Sequence, residues 1–141
     1  MVSDRVLVVV SAAQLAAGVA GQVVALRDGR PFDIAVVGWR GRHDRLSRDS
    51  WLLGTGLSAP VFMLATQLVT TARLAQRPSP VARRTLGALG VTMACGYLVE
   101  REFRVALSPS GCGPVVTPVA ATGFVLSLAM AALGMRGAGA A

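Results

Sequence analysis

Apolar positions along the chain gather into four long runs separated by polar or charged links. The first, Val6–Leu26, is nearly unbroken. The second, Trp51–Leu74, holds Pro60 and begins at a tryptophan, a residue suited to anchoring at a membrane interface. The third begins near Thr85. The fourth covers Val115–Met135, with Pro114 and Pro118 about its first turns, where proline is tolerated. A helix of about 20 apolar residues crosses a hydrocarbon core of roughly 30 Å. The pattern predicts an all-α integral membrane protein, a four-transmembrane-helix bundle with spans at 6–26, 51–74, 85–107 and 115–135. It forms one domain over 1–141, with a long loop between helices 1 and 2.

The links differ in character. Residues 27–50 read RDGRPFDIAVVGWRGRHDRLSRDS. Asp28-Gly29 signals a tight turn, and PFDIAVVGW is expected to lie at the interface or fold back over the bundle. Ser47 or Ser50 is placed to cap the second helix. Residues 75–84 form a short turn with two prolines, and residues 108–114 end the third helix and lead into the fourth. Small residues recur four apart on the spans: Ala13, Ala17 and Gly21; Gly90 and Ala94; Gly123, Ser127 and Ala131. Such stripes let membrane helices approach closely, within one chain or between copies in a homo-oligomer. Gln14 and Gln22 share a face with Gly18, and Thr55, Thr66 and Thr70 form a similar stripe on the second span; interhelical hydrogen bonding is the simplest role for them.

The third span carries the main chemical signal. Its purely apolar part, Thr85–Val99, rises only roughly 22 Å, short of the core thickness. A full crossing continues through Glu100, Arg101, Glu102 and Arg104 to Leu107. Charges at such depth face a bundle interior or a watery cavity and raise a functional hypothesis. On a continuous helix, Tyr97, Glu100, Arg101 and Arg104 share one face, and Glu100 and Arg104 can pair at i,i+4. Glu102 points nearly the opposite way. Four spans put this helix end on the same membrane side as the 27–50 loop, with its Asp33, Trp39, Arg40 and His43.

Burial raises a carboxyl pKa and a neighbouring arginine lowers it, so one site can hold an acid and a base near neutral pH. Glu102 or Glu100 is the expected acid or base, with Asp33 as the second carboxylate. Arg101 or Arg104 sets the pKa or steadies an oxyanion, Tyr97 donates, and His43 relays a proton. Trp39 and Arg40 support the site from the loop. The plainer readings are a helix-end ion pair at Glu100 and Arg104, a turn cap at Asp33, a solvated His43 and interfacial anchors at Trp39 and Trp51.

Composition narrows the class further. Of the 141 residues, 53% are hydrophobic and 15% charged, against roughly 25% charged in soluble domains; mean hydropathy is +0.58. All 14 basic residues are arginine, as a GC-rich genome favours, and the net charge of +7 suits arginines at lipid headgroups. No basic patch with interleaved aromatics points to nucleic acid. Cys95 and Cys112 form no C-x-x-C and there is one histidine, so neither a metal site nor a cofactor is expected. The positive-inside count weakly favours a cytoplasmic long loop, in a bacterial plasma membrane.

These features favour a small membrane-embedded acid–base enzyme for a lipophilic small molecule, by isomerisation, cyclisation or epoxide opening. Several spans with carboxylates beneath a loop resemble, in layout alone, membrane-bound isomerases and terpenoid cyclases. A non-catalytic assembly, regulatory or lipid-binding subunit competes with this reading. A small oligomeric transporter is a third, against which stands the lack of any mid-span charge.

Overall fold

The computed structural model describes residues 2–29, 33–34, 38–40, 54–55, 57–108 and 113–136. Within them the architecture is helical: α1 (Val2–Arg27), α2 (Val61–Gln76), α3 (Pro80–Val99), α4 (Arg101–Ala106) and α5 (Val116–Met135). A two-residue antiparallel ladder joins β1 (Asp33–Ile34) to β2 (Trp39–Arg40), with Asp33 opposite Arg40 and Ile34 opposite Trp39. The helix α1 packs on α2 and α5, and α3 packs on the same two, which closes a ring of four. Two helices, Ser3–Arg27 and Val116–Met135, are long and apolar enough to cross a membrane.

The first and fourth runs form helices close to the predicted bounds. The other two need correction. Among the described residues of the expected span 51–74, the helix runs from Val61 and ends at Gln76. Proline disfavours helical backbone in the residue before it, so the helix starts just after Pro60. Ahead of it, Gly54 takes a left-handed φ of 82° and Thr55 pairs with Ser58 in an isolated bridge. Trp51, Ser47 and Ser50 lie outside the described residues.

The expected span 85–107 starts earlier and is not continuous. Ser79 accepts a hydrogen bond from the Ala82 N–H and Pro80 occupies the first helical turn, a strong start signal. At the other end Glu100 leaves helical geometry, with φ −76° and ψ 128°, and α4 begins at a new angle. On a straight helix Phe103 would sit roughly 120° from Tyr97. The break instead buries Phe103 against Tyr97 and Phe124, with ring centroids 5.3 and 4.9 Å away.

Close backbone approach holds α3 to α5. A Cβ on Gly90 would lie 2.5 Å from the Ala131 nitrogen, and one on Gly87 3.0 Å from the Gly134 carbonyl carbon. The small-residue stripes on these helices are therefore spent within the chain. On α1 the stripe is displaced: Ala13 is exposed, while Gly18 meets Leu64 and Gly21 meets the backbone of Leu57.

One apolar cluster centres on Leu7, Leu64, Leu86 and Met130, and another on Ala25, Leu57, Tyr97, Phe103 and Ala120. Buried polar side chains join the helices alongside the first. Gln67 donates from Nε2 to the Ser11 carbonyl at 2.9 Å and to Ser11 Oγ at 3.2 Å. Ser11 Oγ also bonds Thr71 Oγ1 at 2.7 Å, and Gln14 Nε2 donates to Ser127 Oγ at 3.3 Å. The expected threonine stripe is split. Thr66 and Thr70 bond carbonyls of their own helix, whereas Thr55 donates to Gln22 at 3.5 Å.

Candidate functional site

The helix break carries the site. Glu100 is only 8% exposed, and Tyr97, one turn earlier on α3, is buried beside it. The two line a cavity of about 220 Å³ between the end of α3, the start of α2 and the bridged turn before it. Leu57, Pro60, Met63 and Met93 supply apolar walls, and Thr55 and Ser58 add hydroxyls. Thr92 and Gly96 line it from the exposed side of α3, so the cavity reaches the outer surface of the bundle there. Thr92 spends its hydroxyl on the Ala88 carbonyl, 3.0 Å away, which suits an apolar exterior.

The loop after α1 folds back onto this end. Asp33 donates its backbone N–H to Glu100 Oε1 at 2.6 Å. Its carboxylate pairs with Arg101 Nη1 at 3.5 Å, a contact whose arginine side chain is 55% exposed. Such an exposed pair contributes on the order of 0–1 kcal/mol. It positions the loop more than it stabilises the fold.

The predicted site residues divide accordingly. Tyr97 and Glu100 share the cavity, and Asp33 and Arg101 reach it through Glu100. Arg104 is exposed, and among the described residues no ion pair joins it to Glu100, because the chain turns between α3 and α4. The expectation of one charged face across Tyr97, Glu100, Arg101 and Arg104 is corrected by the same turn: the first two are buried and the last two exposed. Glu102 has its backbone in α4, and Trp39 and Arg40 have theirs in β2; their side chains lie outside the described residues, as does all of His43. Cys95 is exposed and free.

Sequence reasoning missed the turn at Gly54–Pro60 and the role of the methionines Met63 and Met93 as cavity walls. The turn had a signal, since GTGLSAP clusters Gly, Ser and Pro as loops do. The methionines had none beyond helical spacing. Chemically, the described residues offer one carboxyl group and one phenol at the edge of a small apolar space. The chain matches no protein-family model, and no curated protein or solved structure matches it.

Proposed function

We propose that the chain is a four-span integral membrane protein in which Glu100 acts as a general acid or base on a small lipophilic molecule held in the cavity beside Tyr97. Membrane residence is supported by an inside-out distribution of polarity. Val9, Val69 and Val81 are 67%, 67% and 70% exposed, while Gln14, Gln67 and Ser127 are at most 1% exposed. The two most apolar helices are only 28% buried over their apolar windows, unlike the core helix of a soluble protein. α2 is short for a span, and on this reading the chain ahead of Pro60 completes the crossing.

The observation that carries the chemistry is a buried carboxyl group on the wall of an apolar cavity. At about 220 Å³, that space is smaller than the roughly 300–1,000 Å³ of a drug-sized ligand site. It accepts a compact molecule or the end of a longer one. A carboxyl there delivers a proton to an alkene or epoxide, or removes one from an adjacent carbon. Double-bond isomerisation returns the proton it takes and needs no co-reactant; cyclisation and epoxide opening begin from the same protonation. Glu102 and Asp33 are the second carboxyls of this reading, with Arg101 as the nearby cation.

Photolabelling with an alkyl diazirine in detergent, mapped by mass spectrometry, tests occupancy. Label on Met63 and Met93, lost in Gly96→Leu, supports the site; label spread evenly over the outer faces refutes it. A panel of lipophilic epoxides and polyenes then tests chemistry, with turnover expected in the wild type and absent in Glu100→Gln.

A non-catalytic lipid-binding or assembly role is the second reading. It is favoured by the hydrogen bond from Asp33, which already employs Glu100 as a clamp on the loop. Occupancy without turnover would select it.

A further inference from the structure

We infer that the outer trough between α1 and α2 is a binding site for one anionic phospholipid. It rests on membrane residence but not on the chemistry of Glu100. On their inner sides the two helices meet through Ser11, Gln67 and Thr71. On the outer side Ala12, Ala16, Ala20 and Ala72 are too short to close the gap. The result is a hollow of about 630 Å³ with almost wholly apolar walls, and Ala75 lies on both it and a second hollow of about 450 Å³. Among the described residues lining the first, the one polar side chain, Thr71, is occupied by Ser11.

The second hollow ends in charge. Arg5 and Arg77 line it together, one from the first turns of α1 and one from the residue after α2. Both are exposed, and among the described residues neither forms an ion pair. Asp4 also lines it, but Arg83 holds its carboxylate at 2.5 Å, so it offsets little of the positive potential. Basic hollows between membrane helices at a headgroup level suit acidic lipid heads. From Arg5 to Ala20 the helix rises roughly 22 Å, more than one leaflet's share of a core of roughly 30 Å. The trough thus offers two cations to a phosphodiester and a continuous apolar bed to one acyl chain.

Thermal unfolding of the purified protein in a neutral detergent tests this, with phosphatidylglycerol, phosphatidylcholine or inorganic phosphate added. Phosphatidylglycerol is expected to raise the Tm by several degrees and the other two to do little. Arg5→Gln with Arg77→Gln, or Ala72→Leu alone, should remove most of that rise; all three positions are exposed, so the variants keep the fold. An equal rise with phosphatidylcholine, a rise with phosphate alone, or a rise that survives both variants overturns the proposal. So does a dimer cross-linked through a single cysteine placed at Ala16 or at Ala72, because a second copy would then fill the trough.

Discussion

The backbone N–H of Asp33 donates to Glu100 Oε1 at 2.6 Å, joining residues 67 positions apart at the point where the third long helix ends. A carboxamide oxygen can accept the same bond. Glu100→Gln should therefore keep the Tm within a degree or two of wild type. Glu100→Ala removes this acceptor from the half-buried Asp33 N–H and should cost about 1 kcal/mol, the net worth of one hydrogen bond. Thermal unfolding of both variants in detergent checks this. A large loss in Glu100→Gln itself would mean that the negative charge, rather than the acceptor, holds the loop.

At the opposite end, Arg83 binds Asp4 at 2.5 Å, Ser3 Oγ at 2.8 Å and the Leu133 carbonyl at 2.8 Å. One guanidinium ties α1, α3 and α5 together. The pair is largely shielded, with side-chain exposures of 17% and 22%. Arg83→Gln should cost about 2–3 kcal/mol, below the 3–5 of a fully buried pair. A double-mutant cycle with Asp4→Asn isolates the coupling. Additive losses would show that the Leu133 carbonyl and the Ser3 hydroxyl are the partners that matter.

Two glycines of α3 should respond in opposite directions. Gly90 lies against the α5 backbone, and Gly90→Val forces the helices apart, with an expected cost of about 1–3 kcal/mol. Gly96 has nothing within 4 Å of where a Cβ would stand. Gly96→Ala should be neutral or stabilising by up to about 1 kcal/mol, the helix-propensity difference. Comparing the two melting curves is enough.

The buried amides make a further contrast. Gln67 bonds Ser11, but its Oε1 meets no donor among the described residues. Gln67→Leu loses the bonds and sheds that unpartnered oxygen together, so its net effect should stay within about 1 kcal/mol, as for most polar contacts in membrane bundles. Ser11→Ala strips a partner from both Gln67 and Thr71 and should cost more. The reverse order of stabilities would overturn this account.

How far the sequence disclosed all this depends on the scale of the signal. Helices α1 and α5 were legible because 6–26 and 115–135 each run 21 residues without a charge and with few polar side chains, which leaves little alternative. The break at Glu100 was not, because its cause is distant: the loop around Asp33 and the ring of Phe124 both act on it. The helix start at Val61 was encoded locally, by Gly54, Ser58 and Pro60, but apolar neighbours masked it. Glu100 and Tyr97 were singled out by charge at depth, and their cavity was invisible because its other wall arrives from the turn before α2. The polar contacts were half legible. Gln14 stood out in an apolar run, whereas its partner Ser127 looked like one more small residue.

That partnership has a consequence for biogenesis. Gln14 reaches Ser127 across 113 positions of sequence, so it leaves the ribosome long before its acceptor exists. Ser11 waits only for Gln67 and Thr71, 56 and 60 positions on. A nascent chain can therefore zip its first two helices early, while one amide on α1 stays bare until the last helix is delivered. Chains truncated ahead of α5 should leave that amide without its Ser127 acceptor.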